Sequence, residues 1–267
     1  MSRIYAIALN TLRETIRDKI VYVVIFFMVL GLLASQFITP LTMGEQIKVI
    51  QDLSLAFLSF FSVLLVILVG TSLLKKEMEG KTIYLVLSRP IKRHEFIIGK
   101  FTGMVLFDIV VIVIMSAGSF ANILLVNKSI YYSMWYFHEF HYFAIAVAMF
   151  FVLMQLIILN AVSVFFSVIS SSSIISAIFT FFVYLAGIST STLKQLTESA
   201  RSPMLLYITK LFYYALPNFA ILDLKNNVIY GVIPSLSQSF FLIGYTVFYS
   251  ACLLLFAVLI FEGKELK

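Results

Sequence analysis

The sequence predicts an all-α, polytopic membrane protein: six transmembrane helices, an N-terminal amphipathic interfacial helix, and both termini cytoplasmic. Three observations carry this. The 267 residues are 61% hydrophobic and 12% charged, whereas charged residues make up about 25% of a soluble domain. The apolar residues gather into uncharged runs of the length that a bilayer core of about 30 Å requires of a helix. The basic residues collect between those runs, on one alternate set of connections.

Residues 1–19 place Ile4, Ala8, Leu12 and Thr15/Ile16 at helical spacing, among Arg3, Arg13, Arg17 and Lys19. That pattern suits a helix lying in the membrane interface. A basic start followed by an apolar run at 20–34 has part of the form of a signal peptide, but the basic region is long for one. The run is read as a retained first helix. Spans are expected at 20–38, 53–74 and 101–126, the last containing one acid, Asp108. No formal charge occurs from 142 to 193. This is too long for one crossing at about 1.5 Å per residue and right for two. The serine run 170–173 is the natural turn, giving spans at 143–169 and 174–193. A last span at 240–261 closes the chain. Within 194–239, Met204, Leu205, Ile208, Leu211, Phe212 and Ala215 repeat at helical spacing, so this loop is expected to be structured, with Pro217 and Pro234 bracketing its second half.

Charge sets the orientation. Thirteen Lys/Arg fall before the first span, in 75–100 and at the C-terminus; six fall on the opposite side. By the positive-inside rule the termini and block 75–100 are cytoplasmic. The net charge of +6 is therefore topological, and nucleic acid is not an expected partner. The single cysteine, Cys252, excludes an intramolecular disulfide.

Block 75–100, KKEMEGKTIYLVLSRPIKRHEFIIGK, is the one long charged segment. Gly80-Lys81-Thr82 has the form of the end of a phosphate-binding loop, but Lys75 stands where that loop needs its first glycine. The chain is not expected to bind ATP; Gly80 suits the end of the second span. His138 and His141 flank Glu139-Phe140, one residue short of the HExxH zinc pattern. A zincin is excluded, leaving a weak outer metal site or simple interfacial polar groups, the latter favoured by neighbouring Trp135, Tyr136 and Tyr142. Asp108, Gln155 and Asn160 are polar within spans. An intramembrane acid is a functional suspect, although Asp108 also suits a structural pairing near a basic residue. Gln155 and Asn160 suit either interhelical hydrogen bonds or a pathway lining. No catalytic triad, carboxylate pair or cysteine cluster is present.

The pattern Glu77-x-x-Gly80-Lys81-Thr82-x4-Leu87-Ser88-Arg89-Pro90-Ile91-x-Arg93-x-x-Phe96-x-x-Gly99-Lys100 resembles the first cytoplasmic loop of type-2 ATP-binding cassette (ABC) transporter permeases. Lys81 departs slightly from it. The predicted topology agrees over the whole chain, read as one domain, 1–267. Within the family the chain looks somewhat like the short permeases of nitrous-oxide-reductase maturation and gliding motility. The resemblance implies a multi-pass permease of a prokaryotic cytoplasmic membrane. It would pair with a second permease copy, a homodimer rather than a heterodimer, and with two copies of a separate P-loop ATPase that holds ATP and Mg. An outer accessory protein is a further partner. No cofactor is implied for this chain.

In such families the loop between spans two and three seats in a groove of the ATPase, and the loop between spans four and five touches it again. Carried onto this sequence, the contacts are Glu79, Gly80, Lys81, Thr82, Ile83, Leu85, Val86, Leu87, Arg89, Pro90 and Arg93, with Ser171 and Ser172. The apolar run suits a groove and the basic residues its acidic rim. Arg89-Pro90 ends a short helix, and Pro90 can start the next. A translocation path is expected between the two permease copies, formed by spans two and five, with Thr71, Ser72, Ser176 and Thr180 as polar linings. The function expected is ATP-driven export or mechanical work. A non-transporting membrane anchor for an ATPase is the alternative, and a stand-alone ion-coupled carrier would need more intramembrane acids than Asp108 alone.

Overall fold

In the computed structural model the described residues are 3–38, 46–73, 92–133, 142–190, 210, 213, 216–229 and 231–263. They form α1 (Arg3–Ile16), α2 (Lys19–Ile38), α3 (Gln46–Leu65, running through a π turn, Val66–Gly70, to Leu73), α4 (Arg93–Ser133), α5 (Tyr142–Ile169), α6 (Ser173–Ile188), α7 (Lys225–Ile229) and α8 (Leu236–Gly263). Among them no strand occurs. Five helices (α2, α3, α4, α5 and α8) are long and apolar enough to cross a membrane. The sixth expected span, α6, is 16 residues long, about 24 Å and shorter than a bilayer core.

The helix bounds depart from the sequence reading mainly at polar ends. α3 begins at Gln46 rather than 53, and α4 begins at Arg93 rather than 101. Apolar runs mark where a helix can lie in hydrocarbon, whereas the backbone ladder continues past them. Lys92 N–H donates to Glu95 Oε2 at 2.9 Å, half of a capping box that fixes the start of α4. At α8 the box is complete: Gln238 N–H donates to Ser235 Oγ at 3.3 Å, and Ser235 N–H donates to Gln238 Oε1 at 3.1 Å. α8 thus starts at Leu236, four residues ahead of its apolar run. The serine turn falls where expected: Ser170–Ser172 are non-helical, and Ser172 Oγ accepts from Ile175 N–H at 3.4 Å to cap α6.

α5 is the axis of the bundle. Of its apolar window 72% is buried, against 28% for α2 and 17% for α8. α8, α4, α6 and the π turn of α3 pack around it. α1 does more than lie beside the spans, for it docks on the first turns of α4. Its buried stripe is Ala8, Thr11 and Thr15, while Ile16 is 39% exposed. The two threonines satisfy their hydroxyls on the backbone one turn earlier, at 2.9 and 2.7 Å, so they pack as small residues.

Candidate functional site

Two features stand out: a junction at the end where Arg3, Arg93 and Glu262 meet, and a polar seam inside the bundle. At the junction, Gly99 and Gly103 of α4 form a small-xxx-small face. A Cβ at Gly103 would lie 2.6 Å from Thr11 Cβ and 2.7 Å from Ala8 O; one at Gly99 would lie 2.8 Å from Ile7 Cβ. Only glycine admits α1 at this distance. Between them, Lys100 is 1% exposed and places Nζ 3.3 Å from Glu14 Oε2. A buried ammonium needs that partner. Arg3 and Glu95 add an outer pair at 3.7 Å.

The same turns of α4 hold the end of α8. Arg93 Nη1 donates to Phe261 O and Glu262 O, both at 3.0 Å, and the guanidinium lies 5.9 Å from the Phe261 ring centroid. Phe96 stacks on Phe261 with centroids 6.2 Å apart. This one guanidinium nitrogen answers two carbonyls that a helix C-terminus leaves open, where positive charge is favoured. The start of α4 is therefore bonded to the first helix and the last.

In the seam, Asp108 of α4 accepts from Asn160 Nδ2 of α5, and both are buried. Asn160 also faces Gly70 of the π turn, where a Cβ would stand 3.4 Å from its Oδ1 and 3.0 Å from Ser163 Oγ. One turn on, Ser167 Oγ donates to Thr71 O at 3.3 Å. α3, α4 and α5 thus meet on short polar side chains at one level, beside a π turn of the kind that recurs at functional sites. Gln155, by contrast, does not join this group. Its Nε2 donates to Phe219 O at 3.0 Å, in a different contact.

That contact belongs to the segment 216–229, which dips back into the bundle. Phe219 is fully buried, its ring 5.5 Å from Tyr184, and its N–H donates to Gly187 O at 3.1 Å. Asn218 Oδ1 accepts from Thr190 Oγ1 at 2.6 Å, and Asn218 N–H donates to Tyr245 Oη at 2.8 Å. Irregular backbone at membrane depth is tolerated where protein buries and satisfies it.

Of the predicted site residues, Ser171 and Ser172 lie in the α5–α6 turn and Arg93 at the junction. Glu79, Gly80, Lys81, Thr82, Ile83, Leu85, Val86, Leu87, Arg89 and Pro90 lie outside the described residues, as do His138 and His141. Of the four residues expected as polar linings, Ser72 is only partly buried. Thr71, Ser176 and Thr180 are buried within the chain, bonded to Ile67 O, to Phe166 O and Ser172 O, and to Ser176 O; Ser72 bonds Val69 O. Short hydroxyls in apolar helices turn onto their own backbone. Sequence reading missed Lys100–Glu14 and Gly99/Gly103, although the Gly-x-x-x-Gly spacing was there to be seen. It also missed the return of Phe219 and Lys225, which no local pattern signals.

No curated protein matches the chain. The family model described as ABC-2 family transporter protein matches residues 5–266. A multi-pass α-helical chain matched over nearly its whole length belongs to the ABC-2 transporter family.

Proposed function

We propose that the chain is the permease subunit of an ATP-driven transporter, coupling ATP hydrolysis on a separate ATPase to export or mechanical work. In this reading six helices, α2 to α6 and α8, cross a prokaryotic cytoplasmic membrane with both termini inside. Two permease copies pair as a homodimer and two ATPase copies bind beneath them. The ATPases hold ATP and Mg; this chain binds neither and carries no catalytic group. Residues 79–90 seat in the ATPase groove and Ser171–Ser172 make the second contact.

The observation that supports the reading best is the junction. α4 starts inside the charged block, at Arg93, and its first turns are tied to α1 through Lys100–Glu14 and to α8 through Arg93 and Phe96. A force applied at 75–91 is then delivered to three helices together. The test is affinity purification of the native complex in mild detergent, with Leu85→Asp and Arg89→Glu beside wild type. A P-loop ATPase is expected with wild type and not with the variants; its absence from all three rejects the reading. The anchor alternative draws on the internal satisfaction of the polar side chains, which leaves few to line a hydrophilic path. Substrate-stimulated ATP hydrolysis separates the two.

A further inference from the structure

α1 runs alongside α4 instead of lying across it. Ile7 meets α4 at Gly99 and Thr11 meets it at Gly103, so the two helices point the same way. α2 keeps that direction: Leu32 faces Gly118, and Ser35 Oγ accepts from Asn122 Nδ2 at 3.0 Å. Lys19 lies 16 residues before Ser35, about 24 Å back along α2. That brings it level with Leu106 of α4, within a turn of the level of Thr11. The corner between α1 and α2 therefore sits where the polar turns of α4 give way to the apolar run that begins at Phe101. In a membrane this is the edge of the hydrocarbon.

Three exposed cations occupy this corner: Arg13 and Arg17, one turn apart at the end of α1, and Lys19 at the start of α2. Among the described residues none of the three is in an ion pair. The two acids interleaved with them are engaged elsewhere. Glu14 Oε2 answers the buried Lys100 at 3.3 Å, and Asp18 Oδ1 accepts from Ile20 N–H at 3.1 Å at the start of α2. Beyond the cations, the outer face of α2 carries Tyr22, Phe26 and Leu30, which are 60%, 61% and 44% exposed. Positive charge at one level and an open apolar face directly beyond it match the chemistry of an acidic phospholipid. Guanidinium groups hold phosphate in a bidentate way, and acyl chains lie along the apolar face. Basic residues at the membrane end of a span draw acidic lipid heads by about fivefold for each cation. An acidic protein surface would answer the charges but leave the face of α2 beyond them uncovered.

We propose that the α1–α2 corner binds an acidic phospholipid of the adjoining leaflet, its phosphate on Arg13, Arg17 and Lys19 and its chains along Tyr22, Phe26 and Leu30. The lipid then fixes the level at which α1, and through it the start of α4, meets the membrane. Binding requires only that the chain sit in a bilayer. That the leaflet is the cytoplasmic one rests on the orientation proposed above.

The test places a reporter at the corner itself. The chain has a single tryptophan, so a full-length parent carrying Trp135→Phe and Tyr22→Trp reports from the start of α2 alone. It is reconstituted in dioleoyl phosphatidylcholine vesicles with a small fraction of brominated phosphatidylglycerol or brominated phosphatidylcholine, and quenching of its fluorescence is measured. The acidic lipid is expected to quench as though enriched about a hundredfold, fivefold for each of three cations. Arg13→Gln combined with Arg17→Gln should lower the enrichment to about fivefold, and Arg13→Lys with Arg17→Lys should keep most of it. Quenching by brominated phosphatidylcholine should be the same in all three chains. Equal quenching by the two lipids in the parent overturns the proposal, as does an enrichment that survives the glutamine pair or vanishes with the lysine pair. Absence of quenching by either lipid also overturns it, because protein then covers α2. ATPase co-purification is scored separately on the same chains. A glutamine pair that loses an ATPase and keeps its lipid enrichment assigns the cations to that partner and rejects the proposal. A parent that enriches the acidic lipid and captures no ATPase keeps this proposal and loses only the transporter reading.

Discussion

Gly187 illustrates how much of this molecule turns on single atoms. A Cβ there would fall 2.4 Å from the Phe219 ring and 2.5 Å from Pro217 O. The ring can shift but the carbonyl cannot, since Phe219 N–H is bonded to Gly187 O itself. Gly187→Ala is expected to lower stability by about 1–3 kcal/mol, the range of overpacking in a filled core. Gly244→Ala, with nothing within 4 Å, should be neutral or slightly stabilising, since helix propensity favours alanine. Thermal unfolding of the two variants in detergent checks the contrast; equal shifts would show that the close approach at Gly187 is not a constraint. The Asp108–Asn160 bond invites a double-mutant cycle. Interhelical hydrogen bonds in membranes couple by about 0.6 kcal/mol on average and about 1.7 at most. Asp108→Leu and Asn160→Leu should therefore show a coupling of that size, and additive losses would mean that the pair is not bonded.

Between elements, the decisive contact is Arg93 on the last turn of α8. Its Nη1 alone donates to both carbonyls while the guanidinium lies over the Phe261 ring; a lysine ammonium has donors for both carbonyls but lacks the flat group that stacks on a ring. Arg93→Ala is expected to cost about 1–2 kcal/mol, and Arg93→Lys less, because its ammonium can still donate to the two carbonyls. Amide exchange should quicken in the last two turns of α8 while the centre of α5 stays protected. Full protection in Arg93→Ala would show that the contact does not hold the end of α8. Other element contacts are built from polar groups already satisfied. Asn122 of α4 donates to Ser35 Oγ and Ser54 Oγ at 3.0 and 3.2 Å and accepts from Gln36 Nε2 at 2.9 Å. That one amide ties α2, α3 and α4, because hydrocarbon offers no competing partner.

For the whole molecule, the question is which helices move as one body. α1, the start of α4 and the end of α8 are joined by an ion pair, two guanidinium hydrogen bonds and an aromatic stack. If they form one lever, restraining them together changes little. His94 and Glu262 face each other at 3.7 Å, so cysteines at both positions, in a Cys252→Ala background, should accept a short bismaleimide. In the complex proposed above, the cross-linked chain is expected to support undiminished ATPase activity. Inhibition by that cross-link would mean that α4 and α8 separate during the cycle.

The span positions were legible because an apolar run of about 20 residues has few fates besides a membrane helix. Hence 20–38 and 143–169 match α2 and α5 to within a residue at each end, and the serine turn needed only the length limit on one crossing. The start of α8 was less legible, because a capping box is set by two polar side chains and leaves no mark in hydropathy. Asp108 and Asn160, singled out only as polar residues within spans, turned out to be partners. Gln155 faces elsewhere, since five residues along a helix turn a side chain well away from its neighbour. The sequence by itself determined an all-helical membrane chain, the segment where charge concentrates and the family it resembles. Those are properties of composition and local spacing. Only the tertiary structure decided that Lys100 is buried on Glu14, that Arg93 closes α8, and that Lys225 reaches the middle of α3. Each of those contacts joins residues more than 80 positions apart. At that separation packing selects the partner, and local patterns along the chain carry no record of the choice.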